Sequence, residues 1–340
     1  MIMKKKQRIL LIAPMPPLIG GIAVSAGRLY ENLKADGYDV DYYDIKLKHV
    51  LRFLWIPVWI LFHRRYDIIH CHVAGNFRKW YLAVVKPFYK GARLIYTQHG
   101  DITTQLANRH VMWALSKADD LICVQPGDSR RLPSALQGRS VDIPAFILPK
   151  HLGEEQVPGD VMQFVHDGAE PLILFYGGVV LTPELYDLYG IGDAVAVYLR
   201  YCAGGRSARL LLLISHDGSR EAVAFMDRIR ERIAQEAPEP SLVRVVENRA
   251  MPMLPLFRHA QVYIRPSKTD GDSLAVREAL SQRCPVVASD RAVRPEGAVV
   301  YHNADEFLEQ LSQVLIQGQV PAEQPNFYAQ IVSLYEQENK

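Results

Sequence analysis

Asp270 and Glu278 stand eight positions apart in the run Arg265-Pro266-Ser267-Lys268-Thr269-Asp270-Gly271-Asp272-Ser273-Leu274-Ala275-Val276-Arg277-Glu278-Ala279-Leu280. The run follows the apolar Val262-Tyr263-Ile264 and leads to Pro285-Val286-Val287-Ala288, so it reads as strand, polar loop, helix, strand. A helix opening near Ser273 offers free backbone N–H groups and a positive dipole end to an anion. Glu278 then falls about one and a half turns in, at the mouth of the same site. Amides for phosphates and carboxylates for sugar hydroxyls are what a nucleoside diphosphate requires. Asp270-Gly271-Asp272 also spells D-x-D, a pattern in which paired acids hold a divalent cation against a pyrophosphate. The spacing to Glu278 fits the metal-free arrangement better.

Three further positions carry candidate chemistry. Gly20-Gly21 follows the first apolar run and the rigid Met15-Pro16-Pro17. Glycine lets a backbone approach a ligand closely, although the pair also reads as a plain turn. No G-x-G-x-x-G is present, so this is not a dinucleotide fingerprint. His99 ends the run Leu94-Ile95-Tyr96-Thr97-Gln98, and His72 closes Asp67-Ile68-Ile69-His70-Cys71. A histidine at a strand's carboxyl end faces the ligand side of an α/β sheet. His99 and His72 are therefore candidate ligand-binding residues.

The elements that must position these residues come in two sets. Candidate strands in the first half are Ile9–Ala13, Val40–Tyr43, Ile68–Cys71, Leu94–Thr97 and Leu121–Val124, with a helix over Ser25–Asp36 stopped by Gly37. A Pro/Gly/acid-rich stretch, Pro149–Pro171, reads as a linker region. A second alternation runs through Leu172–Tyr176, Leu210–Ile214, Val243–Val246, Val262–Ile264, Val286–Ala288 and Val299–Tyr301, with a helix over Ala222–Ile233. Asn326–Tyr335 forms an amphipathic terminal helix. Short apolar runs alternating with helices predict parallel sheets, and 340 residues exceed a usual single core.

Composition narrows the partners. The chain is 49% apolar and 22% charged with a net charge of +2, which gives no basic excess for a nucleic acid. Cys71, Cys123, Cys202 and Cys284 lack C-x-x-C spacing and read as free thiols of a reducing cytoplasm. The start Met1-Ile2-Met3-Lys4-Lys5-Lys6 precedes a first strand, not a signal peptide. One segment, 49–65, stands apart. Its core Phe53–Phe62 is wholly apolar with two tryptophans, between Lys46, Lys48 and Arg52 on one side and Arg64 and Arg65 on the other. Ten residues are too few to span a bilayer. They either lie in a membrane interface, which would put the protein peripherally on the inner face of the cytoplasmic membrane, or form a buried helix started or kinked by Pro57.

The Asp270-x7-Glu278 block, Glu278-Ala279-Leu280 and Cys284-Pro285-Val286-Val287-Ala288 together resemble the E-x7-E signature and its continuation in retaining family 4 glycosyltransferases of the GT-B fold, the type common in bacterial surface-polysaccharide synthesis. The resemblance implies an α/β GT-B architecture, two Rossmann-like domains facing a central cleft that closes over the donor. Residues 1–150 would be the acceptor-side domain, with helix 323–340 crossing back to it, and 151–322 the nucleotide-sugar domain. It implies a metal-independent hexosyltransferase-like enzyme, with a nucleotide-diphosphate sugar as donor, a glycan or lipid-linked saccharide as acceptor, and no cofactor. Glu278 would hold the ribose and Asp270 a hydroxyl of the donor sugar. Gly271, Ser273 and Leu274 would meet sugar or phosphate through their amides, beside Asp272 and Lys268. Gly20 and Gly21 would face the donor phosphates and the acceptor, His99 would bind the transferred sugar or the acceptor, and His72 would line the acceptor side.

The chain departs from the family at one place. The family's Gly-Arg and Lys-Gly, which neutralise the leaving diphosphate, are matched by Gly177-Gly178-Val179-Val180-Leu181-Thr182-Pro183-Glu184-Leu185-Tyr186-Asp187, with neither cation. Lys268, Arg265 and Arg206 are the candidate substitutes. The gap keeps two other readings open: a non-catalytic GT-B module that scaffolds a glycan-assembly complex, and a GT-B nucleotide-sugar epimerase. An NAD-dependent dehydrogenase would need the absent glycine fingerprint.

Overall fold

Every candidate strand named above forms a strand, and every strand pairing among the described residues is parallel. The structure, a computed structural model, describes residues 7–15, 21–45, 53–63, 65–73, 75–100, 102–180, 187–270, 272–321 and 324–337, the side chains of Thr104 and Glu154 excepted. Gly20, Gly271, positions 49–52 and 64 of the apolar segment, positions 181–186 and positions 323 and 338–340 of the terminal segment lie outside the described residues. The chain divides into two compact units, Met1–Lys150 with Asn326–Lys340, and His151–Pro325.

The first unit holds β1 (Arg8–Ala13), α1 (Gly21–Ala35), β2 (Asp39–Asp44), α2 (Ile56–Phe62), β3 (Ile68–His72), α3 (Asn76–Val84), β4 (Arg93–Gln98), α4 (Arg109–Leu115), β5 (Asp120–Cys123) and β6 (Ser140–Asp142). Its strand order is β2-β1-β3-β4-β5-β6. Ile9 to Ala13 are buried without interruption, as expected for a parallel strand covered on both faces. Helix α1 buries Ala23, Ala26, Leu29 and Leu33, and Gly37 ends it at φ +74°, where its N–H meets the Lys34 carbonyl. Strand β6 escaped the sequence reading, because Ser140-Val141-Asp142 is three residues long and mostly polar.

Helix α2 has a buried face and an exposed face. Pro57 occupies the first turn and starts the helix. Phe53, Ile56 and Ile60 are buried in the sheet's core, whereas Trp55 and Phe62 are 61% and 86% exposed. The buried-helix expectation therefore holds for one face of α2 only.

The last helix among the described residues, α11 (Tyr328–Glu336), joins the first unit. Buried Tyr335 meets His70 Nδ1 at 2.5 Å, and His70 Nε2 meets Thr97 Oγ1 at 2.7 Å. Arg93 donates to the Leu334 and Gln337 carbonyls and pairs with Asp120. Burial first, and the neighbouring His99 second, push His70 down to about 3, so its imidazole is neutral. Tyr335→Phe leaves one ring nitrogen of His70 buried without a partner. It is expected to cost about 1–3 kcal/mol, read as a lower urea midpoint with unchanged slope.

The second unit holds α5 (Gly159–His166), β7 (Leu172–Gly178), α6 (Ile191–Ala203), β8 (Arg209–Ser215), α7 (Arg220–Glu236), β9 (Val243–Glu247), α8 (Met253–His259), β10 (Val262–Arg265), α9 (Leu274–Ser281), β11 (Val286–Ser289), β12 (Val299–Tyr301) and α10 (Ala304–Gln317). Its order β12-β11-β10-β7-β8-β9 is the Rossmann order, in which the sheet reverses direction of growth between its first and fourth strands, β7 and β10. The stretch Pro149–Pro171 is not a bare linker: it contains α5, whose Val161 and Val165 pack into the second core. Separate apolar clusters cover the two sheet faces, one under α6, α7 and α10 and one under α5, α8 and α9.

Candidate functional site

In an open parallel sheet, ligands bind beyond the carboxyl ends of the strands at the switch point. In the second unit that point is flanked by Gly177-Gly178 at the end of β7 and by Arg265 at the end of β10. The loop 266–273 leaves from there, and Ser273 takes the N-cap position of α9. The helix begins where the sequence placed it.

Asp270 is the hub of this loop. Its Oδ2 accepts from Arg265 Nε at 2.9 Å, Arg294 Nη1 at 3.0 Å and Ser267 Oγ at 3.1 Å, and its Oδ1 accepts from Arg265 Nη2 at 3.1 Å. Burial by itself would raise the carboxyl, but Arg265 and then Arg294 outweigh it and hold it below the usual carboxylate range. Two guanidiniums against one carboxylate leave the cluster one positive charge in excess. Arg294 also donates to the Ser289 carbonyl, Ser289 Oγ and Ser267 Oγ, and its side chain is only 2% exposed. The sequence reading missed Arg294. The available signal was position alone: it lies five residues past the end of β11, in a loop on the ligand side of the sheet.

Asp272 pairs with Arg277 at 2.6 Å, both side chains under 10% exposed. Both acids of the D-x-D triplet are thus engaged by guanidinium groups, Asp270 by Arg265 at the end of β10 and Arg294 past β11, and Asp272 by Arg277 on α9. Ser273 is 4% exposed, and its Oγ has no partner among the described residues, although N-cap serines normally accept from their own helix. Glu278 is buried at 4% exposure on the first turns of α9. Its charge, after burial, helps push the Tyr176 hydroxyl up to about 12, which places the carboxylate near the end of β7.

Of the three candidate substitutes for the missing cations, Arg265 lies in the site and Arg206 does not. Arg206 precedes β8, on the amino edge of the sheet, where it donates to Ser312 Oγ at 2.7 Å. Lys268 pairs with Asp193 in the first turn of α6. It also lines a hollow of about 250 Å³ with Asp193, Arg200, Asp290 and His302, a hollow that excludes Asp270, Ser273 and Glu278. The amino end of α6 is itself closed, since Asp187 accepts from the N–H groups of Ile191 and Gly192 at 2.7 and 2.6 Å. Gly190 packs that helix start against the Pro266 carbonyl, closer than any side chain would permit.

The first unit collects the histidines. His72 ends β3 and His99 follows β4, and the register of these neighbouring strands brings His72 Nδ1 within 3.2 Å of His99 Nε2. The ring of His72 is 1% exposed, with its Nε2 unpartnered among the described residues. Burial, followed by the positive Lys79, pushes His99 down to about 3. Burial, with His70 and His99 beside it, pushes His72 well below its ordinary value. Lys79 itself is buried between Gln98 and Gln105 and is pushed down to about 8 by desolvation. Both site histidines are therefore neutral near pH 7 and act as hydrogen-bonding groups. Gly21, the first residue of α1, is exposed at the carboxyl edge of the same sheet.

No family model and no curated protein matches the sequence. Solved structures do match over nearly the whole chain. The sucrose-phosphate synthase of Thermosynechococcus elongatus is 18% identical, covers 97% of this chain and 98% of its own, and has a TM-score of 0.69. The catalytic domain of starch synthase IV from Arabidopsis thaliana, bound to ADP and acarbose, is 14% identical with 98% of both chains covered and a TM-score of 0.65. An α,α-trehalose-phosphate synthase (UDP-forming) from Burkholderia xenovorans, in complex with glucose-6-phosphate, is 16% identical, with 96% and 94% covered and a TM-score of 0.65. The fold is that of the GT-B proteins: two parallel six-stranded sheets, each flanked by helices.

Proposed function

We propose that this chain is a retaining glycosyltransferase that moves a sugar from a nucleotide-diphosphate sugar to a glycan or lipid-linked saccharide at the cytoplasmic side of a bacterial membrane. The observation that carries the reading is the Asp270 cluster at the switch point of the second sheet. There the excess positive charge of Arg265 and Arg294 faces the same edge as the start of α9. Those two arginines supply the charge that the absent Arg and Lys would otherwise bring to a departing diphosphate. The amides of Gly271, Ser273 and Leu274, with the free Ser273 hydroxyl, hold the phosphates. Glu278 accepts from the ribose hydroxyls. Asp270, ionised and with capacity left on Oδ1, accepts from a hydroxyl of the donor sugar.

On the first unit, neutral His99 donates to the transferred sugar without a charge that would oppose an oxocarbenium-like centre. His72 turns its free Nε2 to the acceptor, and Gly20-Gly21 let the backbone approach the donor phosphates. The similar starch synthase binds ADP and the similar trehalose-phosphate synthase forms UDP, which agrees with a nucleoside diphosphate as the common product. No enzymic nucleophile, metal or cofactor enters the scheme.

Thermal shift across UDP, GDP, ADP and CMP, with and without magnesium, tests it. One nucleoside diphosphate at a hundred times its dissociation constant adds about 2.7 kcal/mol to the folded state, and the shift is expected without metal. Glu278→Ala is expected to weaken that nucleotide at least about tenfold, equivalent to ~1.4 kcal/mol, with Glu278→Gln recovering part. A folded Glu278→Ala with undiminished affinity removes the ribose assignment. Silence with every nucleotide returns the chain to the scaffold reading.

A further inference from the structure

Charge and tryptophan are unevenly spread along the chain. Residues 45–118 contain twelve Lys and Arg against two acids, Asp67 and Asp101, in a protein whose overall net charge is only +2. All four tryptophans, Trp55, Trp59, Trp80 and Trp113, fall in the same stretch. Three of them are among the exposed large apolar side chains, joined by Phe62 at 86%, Phe77 at 57% and Phe88 at 44%.

These side chains project from neighbouring elements of one unit. The Tyr81 hydroxyl of α3 donates to the Leu54 carbonyl just before α2 at 2.7 Å, and Phe53 packs on Tyr81 with ring centroids 5.2 Å apart. Lys90, past the short 3₁₀ turn Lys86–Tyr89, donates to the Leu61 carbonyl of α2 at 3.0 Å. Helix α4, which carries Trp113, packs against α3. Cations border the face: Arg65, Lys90, Arg109 and Lys117 are exposed, Lys117 lies over the Trp113 ring and Arg78 over that of Phe53. The Asp67 carboxylate is turned to the backbone of β1, where it accepts from the Arg8 N–H at 2.8 Å.

We infer that the outer face of α2, α3, α4 and the 3₁₀ turn docks on a bilayer surface rich in anionic lipid, with Trp55 and Phe62 as its deepest anchors. Exposed apolar faces of this extent mark interaction sites. Tryptophan with flanking cations is the composition that partitions into a lipid headgroup region, and each Lys or Arg near an anionic surface adds attraction. A second copy of this chain fits poorly. An isologous contact would press the two cationic borders against each other. The inference stands independently of the donor-site reading and extends beyond segment 49–65 to α3, the turn and α4.

The test uses the intact protein with vesicles of phosphatidylcholine alone and of phosphatidylcholine mixed with phosphatidylglycerol. The protein is expected to sediment with the mixed vesicles at low salt, to be released by high salt, and to bind neutral vesicles at least about tenfold more weakly. Trp55→Ser combined with Phe62→Ser should lower partition by about tenfold or more with an unchanged melting temperature, since both side chains face solvent. Brominated lipid should quench the intrinsic fluorescence of the unmutated protein, because every tryptophan belongs to this region. Absence of quenching and sedimentation, equal binding to neutral vesicles, or a solution dimer broken by Phe62→Ser would each overturn the inference. The nucleotide-induced thermal shift of the same preparation reports the donor site separately, so the two readings fail independently.

Discussion

Asp270→Ala should lower the stability of the second unit by about 3–5 kcal/mol, because it leaves two buried guanidiniums facing each other without their carboxylate. Arg265 and Arg294 have side chains 6% and 2% exposed, so neither can turn to water without dragging the loop with it. Urea unfolding followed by circular dichroism measures the loss. Asp270→Asn keeps the shape but removes the charge, and it should fall between the two. If the proposed contact to the donor sugar is right, Asp270→Asn also loses turnover while retaining nucleotide affinity. Full turnover in the folded Asn variant would reduce Asp270 to a structural residue.

The same cluster sets a pH dependence. Asp270 is held below its unfolded value of about 3.9, so its contribution is fully present above that pH and is lost as pH falls through the lower folded value. The unmutated protein should therefore lose stability on acidification below about pH 4 more steeply than Asp270→Asn does. Parallel curves for the two proteins would contradict the assignment.

Gly190→Ala is the second substitution with a large expected effect. At φ +73° an L side chain is strained, and the added Cβ would fall inside the contact radius of the Pro266 carbonyl oxygen, a backbone atom at the root of the site loop. Something must move: either α6 slides away from the loop or residues 266–270 lift from the sheet. We expect a loss of about 2–4 kcal/mol together with a weaker nucleotide shift. Gly205→Ala provides the control. Its φ is +75°, but nothing lies within 4 Å of the added carbon, so it should show the backbone strain of about 1 kcal/mol alone. Equal effects at both glycines would show that the close approach to Pro266 is unimportant.

What could be read without the structure followed from local chemistry. Leu210 to Leu213 and Leu172 to Phe175 announce buried parallel strands because both faces of such a strand must be apolar. The loop-to-helix passage at Ser273, with Glu278 in its first turns, was legible for the same local reason. Arg294 was not, since its bond to Asp270 joins residues 24 apart and depends on β10 and β11 being neighbours. Nor was the His72–His99 contact as a contact, although each ring was placed at a strand end. Its distance is fixed by the register of β3 against β4, which no single run of residues encodes. Asp187 was lost for a different reason: it entered only as the end of a stretch that lacks two cations, and its bonds go to its own chain four and five residues ahead.

The anchoring of the first unit by Tyr335 and the Leu334 carbonyl has a consequence during synthesis. The second unit is one uninterrupted stretch, His151–Pro325, and can close as soon as it has left the ribosome. The first unit emerges earlier yet cannot seal His70 and Arg93 until Tyr335 has been added, some 185 residues after Lys150. At about 5–20 residues per second, that is an interval of roughly 10–40 s in which the earlier-made half waits unfinished. A premature stop just before the codon of Tyr335 should therefore damage the half of the protein that was translated first.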